Sequence, residues 1–436
     1  MSTPRKIITS FYTVLILVWG LGTPVFSQEK AYARSVIKAL TSPAFKGRGY
    51  VEKGDKTASA FIAAAFKKSG LLPLNKGSYY QDFNLPVNTF PGKVEVKLNG
   101  QLLVTAKDYL VGASSPAVHG HFKVIPVRRQ DISTDQELNA LVLKAKDAFI
   151  LLDDRPLEKE SAEAQRSISA NVRALKTSEN LNFKGLIIFT KEKLTWTTLT
   201  YQTIRPVITI NKADLDPASI HQIDVNVDVK FIPEYQTRNV CGMIRGSSGT
   251  DSTIVISAHF DHLGLLGKKV YFPGANDNAS GVAMLLSFVK HFAKQQPKYN
   301  TIFLAFSGEE IGILGSKAYV ENPLTDLSKI RFMVNFDLAG TGEEGIKVVN
   351  GTVFRKEFDR LVQLNDQYKL VPKVEIRGEA CKSDHCRFYE KGVPSFFIYT
   401  QGGIQAYHDI YDREETLPLT EFDHYFELMV RFFNSF

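Results

Sequence analysis

Apolar positions along this chain follow different spacings in different stretches, and the changes mark its organisation. In "KAYARSVIKALTS" and "DKTASAFIAAAFKKSGL" they recur at helical intervals, with the Gly-rich turn segment "PAFKGRGYVEKG" between them. From roughly Tyr79 to Pro233 short strand-like runs take over: "KVEVKLNG", "DAFILLDD", "GLIIFT", "RPVITI" and "VDVKFI". One polar, Ala-rich stretch among them, "LEKESAEAQRSISANVRALK", reads as a helix. This predicts a compact β-rich unit with its own core. From Asn239 onward strands and helices alternate. "STIVISAHF" is continuously apolar, as a strand covered on both faces should be. "SGVAMLLSFVKHFAK" is a helix, "NTIFLAFS" a strand, and "EEIGILGSKAYVEN" starts a helix. "IRFMVNFDLAG" and "VPSFFIYT" are strands; "VFRKEFDRLVQLNDQYK" and "TEFDHYFELMVRFFNSF" are amphipathic helices, the second with Thr420 as its expected N-cap. The expectation is an α/β fold: a mostly parallel or mixed sheet flanked by helices, with a smaller β-rich domain inserted.

The first residues have a different texture. "MSTPRKIITSFYTVLILVWGLGTPVFSQ" opens with Arg5 and Lys6, continues as an interrupted apolar run, and ends in the small-residue pattern of a leader-peptidase site. This predicts a signal peptide over 1–27 with cleavage near Ser27, and hence an exported protein, periplasmic or extracellular. No later segment is long and apolar enough to span a bilayer, so no stable membrane insertion is expected once the leader is removed. The expected parts are then 28–85 and 234–436 as one α/β domain, interrupted by 86–233.

Composition changes little. The 436 residues are 44% apolar and 23% charged, ordinary for a globular protein, and the net charge of +7 is spread without a Lys/Arg block. Nucleic acid is therefore not expected as a partner. Three cysteines, Cys241, Cys381 and Cys386, are too few for a Cys-based zinc site. In an oxidising compartment Cys381 and Cys386 are near enough to pair, leaving Cys241 as a small hydrophobe; free buried thiols are the alternative.

The chemistry gathers at strand ends, where ligands of open α/β sheets bind. One strand ends in His259, Asp261 and His262, another in Glu309 and Glu310, a third in Asp337. The fourth leads through a glycine loop to His408, and Asp277 lies in "PGANDNASG". Glu, Asp and His are oxygen and nitrogen ligands of zinc. Two histidines and three carboxylates suffice for two metals if one carboxylate bridges. Asp277, Glu310 and Asp337 carry three negative charges against four from two divalent cations, and a bridging hydroxide would make the core neutral. A neighbouring carboxylate outside the ligand set can take a proton from water. The adjacent glutamates of "AFSGEEIGILGS" thus divide into one ligand and one base.

The blocks "SAHFDHLG", "GANDNASGVAMLL", "FLAFSGEEIGILGS", "VNFDLAG" and "AYHDIYD" resemble, in this order, those of the di-zinc aminopeptidase family. That family includes bacterial leucyl aminopeptidases, glutamate carboxypeptidases, glutaminyl cyclases and transferrin-receptor relatives. The resemblance covers residues 239–436, and "FKGRG" is similar to the family's start. It implies a zinc exopeptidase fold and two Zn2+ per chain. His259 and Asp337 would hold one zinc, Glu310 and His408 the other, and Asp277 would bridge. It implies Glu309 as general base and then general acid, and Asp261 as the residue orienting His259. It also implies a cis Asp277–Asn278 peptide. Tyr407 matches an oxyanion-stabilising tyrosine, with simple packing as the alternative; His262 reads as local structure. Asp384 and His385, in "CKSDHCRFYEKGVP", match a segment near the substrate pocket, or behind it. The inserted unit resembles a protease-associated domain through "FKGLIIFT" and "RPVITINKADL". The implied activity is hydrolysis of peptides from the N-terminus. Carboxypeptidase or dipeptidase action, glutaminyl cyclase and a non-enzymatic receptor are the alternatives. Side-chain preference and oligomeric state are not legible in the sequence.

Overall fold

The structure is a computed structural model of the chain and describes residues 27–156 and 160–436. The expected leader lies outside them, apart from the backbone of Ser27, where the first helix begins.

The main sheet is mixed. From edge to edge it runs Leu72–Pro73, Lys230–Ile244, Asn300–Phe306, Thr253–His259, Ile330–Phe336, Ser395–Gln401, Gly345–Val349 and Val374–Ile376. Tyr80–Thr89 pairs with the long Lys230–Ile244 strand. The four middle strands are parallel, and antiparallel neighbours flank them. Side chains alternate between two covered faces. Ile254, Ile256, Ala258, Phe303 and Ala305 enter a core with the helices Ser27–Leu40, Gly54–Lys68, Gly281–Lys294 and Phe422–Asn434. Val255, Ile302, Leu304 and Phe306 pack on the opposite side against Tyr319, Val320 and Phe388. Both faces being buried explains why these strands read as unbroken apolar runs.

A second, eight-stranded sheet is built from residues 94–227. Its parallel middle is Val118–Arg128, Ala148–Asp153, Gly185–Phe189 and Val207–Ile210. One face carries Ile150, Leu152, Leu186 and Ile188 under the helices Asp135–Lys144 and Ala162–Thr177. The other face packs on Leu263, Leu266 and Phe272 of the C-terminal part, so on that side the core is shared.

Several local expectations change. The sequence reading placed one helix in this region; Asp135–Lys144 is a second, started by a capping box in which Thr134 and Glu137 bond each other's backbone N–H. "VDVKFI" is not one strand. The chain crosses between sheets at Asp228, whose carboxylate accepts from Lys93 N at 2.6 Å. The helix expected from Glu309 begins only at Leu314. Residues 309–313 form a tight turn in which Gly312 N and Ile313 N both donate to Glu309 O, at 3.0 and 2.9 Å. Thr420 does not cap the last helix: Glu421 holds that position, and Thr420 Oγ1 donates to Glu343.

Candidate metal centre

The parallel strands end level with one another: His259 stands opposite Phe306, and Ser257 opposite Asn335. Each chain then leaves the sheet carrying polar groups, and the groups converge. His259 Nε2 lies 3.3 Å from Asp337 Oδ1 and 3.5 Å from Asp277 Oδ1. His408 Nε2 lies 3.1 Å from both Asp277 Oδ2 and Glu310 Oε2. Asp277 therefore presents one oxygen to each of two groups. Glu309 Oε2 stands 3.9 Å from His259 Nε2, beside the first group. The Asp277–Asn278 peptide is cis.

The tautomer of His259 bears on what occupies this place. Its Nδ1 lies 3.2 Å from the backbone carbonyl of Asp261, which can only accept, so the proton sits on Nδ1. Nε2 then faces carboxylate oxygens, and among the described residues neither Nε2 nor Asp337 Oδ1 has a hydrogen-bond partner although both are buried. A positive centre belongs there, either a proton on Nε2 or a metal ion. Nitrogen and oxygen donors in this mix suit zinc.

Glu309 and Glu310 differ sharply in surroundings. Burial pushes the Glu309 carboxyl well up, partly offset by His259 and reinforced by Asp337, Asp384 and Glu310. Burial acts on Glu310 in the same sense, but His408 and His262 outweigh it and hold that carboxyl well below the usual range. The two neighbouring carboxyls are thus pushed in opposite directions by their surroundings.

The supporting contacts include several that the sequence did not single out. Asp261, expected to orient His259, meets its Nδ1 through the backbone carbonyl; its Oδ1 is farther from the ring, at 3.7 Å. The carboxylate instead accepts from Tyr50 OH at 3.0 Å and Glu309 N at 3.1 Å, fixing the glutamate turn. His262 is fully buried, and its Nδ1 lies 2.6 Å from Glu310 Oε1. Asp412 accepts from Asn276 N and Asp277 N at 2.8 and 3.0 Å. Arg48, inside "FKGRG", is wholly buried and donates to the carbonyls of Leu40, Phe260, Pro273, Gly274 and Asp277. Cys381 and Cys386 form a disulfide, and Cys241 is a free, buried thiol. The disulfide closes a loop whose Ser383 donates to Asp337 Oδ2 at 3.1 Å. Asp384 and His385, in the same loop, are buried rather than exposed to the cavity. Burial lifts the Asp384 carboxyl to about 7.

Above the cluster is a cavity of about 500 Å³ walled by the ligand-type residues, Tyr407, Phe397, Tyr399, Arg377 and Lys382. Tyr407 is half exposed and stacks on His408, with ring centroids 4.0 Å apart. Left-handed backbone at the non-glycine residues Ile313, Leu338 and His408 surrounds it, as strained positions often surround functional sites.

A mixed, helix-flanked sheet thus gathers two histidines and three carboxylates around one cavity, a set of groups able to hold metal. The profile described as Peptidase family M28 matches residues 239–433, and this segment belongs to that family. Over 181 residues the chain is 30% identical to a protein of Arthroderma otae described as "Probable leucine aminopeptidase", covering 39% of this chain and 48% of that one. The chain thus spans about half the length of the curated relatives it matches. Among solved structures, a zinc aminopeptidase from Bacillus subtilis aligns over 92% of this chain and 94% of its own, with TM-score 0.68 and 19% identity. A Peptidase M28 precursor from Shewanella amazonensis aligns over 94% and 95%, with TM-score 0.68 and 18% identity. Both share the fold over nearly the whole chain.

Proposed function

We propose that this chain is an exported aminopeptidase that holds two zinc ions and releases N-terminal residues from peptides. The observation that carries the reading is the placement of Asp277, with Oδ1 toward His259 and Oδ2 toward His408. His259 and Asp337 would hold one zinc, His408 and Glu310 the other, and Asp277 would serve both. His262 also stands near Asp277 and Glu310. Its closest contact, however, is the oxygen of Glu310 that turns away from His408, so it supports the ligand from behind. When bound, the metals supply Lewis-acid polarisation of the scissile carbonyl and a water nucleophile available at neutral pH.

The remaining work falls to this chain's own groups. Glu309 would take the proton of the attacking water on its carboxylate and return it to the leaving amine, because it stands beside the first group without being one of the residues that would hold a metal. Tyr407, on the cavity wall, would donate its hydroxyl proton to the developing oxyanion. The turn pinned by Asp261 would keep Glu309 beside the first metal and Glu310 among the residues that would hold the second. Residues 86–233, which contain the second sheet, would be a protease-associated-type insertion. Export, with cleavage near Ser27, is part of the reading. It is supported by the leader pattern and by a disulfide of the kind kept in oxidising compartments.

The test is a peptide-library digest read by mass spectrometry, with and without chelator, on the wild type and on Glu309→Gln. The expected result is stepwise loss of N-terminal residues that stops with chelator. In Glu309→Gln, two zincs per chain should remain while turnover falls roughly a hundredfold to ten-thousandfold. Asp277→Asn should lose metal. Full turnover in Glu309→Gln, or cleavage from the other end, would overturn the assignment. The mass of the mature N-terminus checks export.

A further inference from the structure

The cavity wall away from the cluster carries charge that the reaction does not use. Arg377 follows the edge strand Val374–Ile376, and its backbone N–H is tied to Val348 O at 2.9 Å. Its Nη1 donates to Tyr399 OH at 3.1 Å, and its other guanidinium donors have no protein partner among the described residues. Lys382 is exposed and makes no ion pair among the described residues; the Cys381–Cys386 disulfide fixes the segment that carries it. Both side chains line the cavity. The nearby acids are engaged elsewhere: Glu375 with Lys347 at 3.3 Å, and Glu379 accepting from Tyr389 OH at 3.0 Å. Every carboxylate in the cavity belongs to the cluster itself, being Asp277, Glu309, Glu310 or Asp337. Two cations left without counter-ions beside aromatic Phe397 and Tyr399 form a place for an anion, and Arg in particular binds carboxylates through paired donors.

We propose that Arg377 and Lys382 form a carboxylate-binding subsite, so that the preferred substrates carry a second carboxylate close to the scissile bond. It comes either from an acidic residue at the cleaved position or from the free C-terminus of a short peptide. The inference rests on the exopeptidase reading and narrows it. The cavity, about 500 Å³, has room for one side chain or one short C-terminal residue beside the cluster.

The experiment compares kcat/KM for matched pairs that differ only in charge: glutamyl against glutaminyl aminomethylcoumarin, and Leu-Leu against Leu-Leu-amide. At least one pair should favour the carboxylate by about tenfold or more in the wild type. The pair that does so names the source. In Arg377→Gln/Lys382→Gln that ratio should fall towards one, with zinc content and Tm recorded as controls. If the double variant does not fold, Lys382→Gln alone, at an exposed position, should still lower the ratio. Chelator-sensitive cleavage with both ratios near one, or a ratio unchanged in the variants, overturns the subsite and leaves the exopeptidase reading standing. No cleavage of any of the four substrates overturns both.

Discussion

His262 and Glu310 form a buried pair: Nδ1 of the ring lies 2.6 Å from Oε1, while Oε2 of the same carboxylate faces His408 Nε2 at 3.1 Å. The histidine cannot reach the cavity and so acts by aiming the carboxylate. Removing such a support behind a ligand costs metal affinity, usually 10–100-fold. His262→Phe, which keeps the ring volume, should weaken one of the two zincs by about that factor and leave the other nearly unchanged. A competition titration against a chromogenic chelator measures it. Affinities unchanged from wild type at both sites would show that His262 only packs.

Arg48 is the tie between the N-terminal segment and the loop that carries Asp277. No carboxylate lies within 4 Å of its guanidinium among the described residues; five carbonyls take that place. Gly274 makes the approach possible. It is left-handed, and a Cβ there would meet Arg48 Nη2 at 2.6 Å and Asp277 O at 2.2 Å. In Arg48→Met the carbonyls lose their donors, and each buried unsatisfied group costs about 1–3 kcal/mol. The variant should lose at least about 3 kcal/mol, read by denaturant unfolding. Arg48→Lys offers three donors to five acceptors and should fall in between. Wild-type stability in Arg48→Met would mean that the loop holds itself.

How much of this was legible in the sequence follows from where each residue gets its partners. His259, Glu309, Glu310 and Asp337 each follow an apolar strand directly, so strand detection and the strand-end rule located them together. His408, past a glycine loop, and Asp277, between a strand and its helix, joined the same crevice less directly, and the family blocks added only their individual roles. Arg48, Asp412 and Ser383 were invisible as contributors because their work is non-local: Arg48 reaches Phe260 across 212 positions, Asp412 reaches Asp277 across 135, and Ser383 reaches Asp337 across 46. An arginine in a glycine turn reads as solvated surface until the fold closes over it. The Glu309–Ile313 turn was missed for a related reason. Helical propensity continues through it, but Asp261 takes the Glu309 and Glu310 amides and a left-handed Gly308 breaks the run. Thr420 failed as a cap because a nearby carboxylate, Glu343, competes for its hydroxyl.

His385 gives the stability a pH dependence of definite sign. It is buried against Phe397, with ring centroids 5.4 Å apart, and burial lowers its pKa from the ordinary 6.5 to about 4. Between those values the unfolded chain takes up a proton that the folded chain does not. Stability contributed by the neutral ring is therefore whole above about pH 6.5 and is lost as pH falls towards 4, by about 1.4 kcal/mol per unit and about 3 kcal/mol in all. His385→Phe removes this term. Urea unfolding of metal-stripped wild type and variant at pH 7 and pH 4.5 isolates it, since the acid response of other groups cancels in the difference. The variant should lose less stability on acidification than the wild type. Equal losses would mean that the ring becomes charged in place.

The loop after the Gly185–Phe189 strand reaches across from the second sheet to the metal centre. Trp196 N donates to His408 O at 2.9 Å, and Thr198 Oγ1 to Glu310 O at 3.2 Å. Lys193 Nζ lies 2.5 Å from Asp409 Oδ2 and 2.6 Å from Gln405 O, bracketing Tyr407 and His408. The second sheet thus helps to hold His408, a proposed ligand that it does not itself contribute. Lys193 is nearly half exposed, so its ion pair adds little to global stability, under about 1 kcal/mol. Its local effect should be larger, because the Tyr411 and Asp412 amides still hold Asp409 while the lysine's contacts to Asp409 and to the Gln405 carbonyl, which fix the loop carrying His408, are lost. Lys193→Met should therefore change Tm slightly while zinc dissociates several-fold faster from the site containing His408, about the lower end of the effect of a lost supporting contact. Stopped-flow release into excess chelator resolves the two zincs. A change in Tm without a change in either release rate would assign Lys193 to surface stability alone and remove the second sheet from the account of the metal centre.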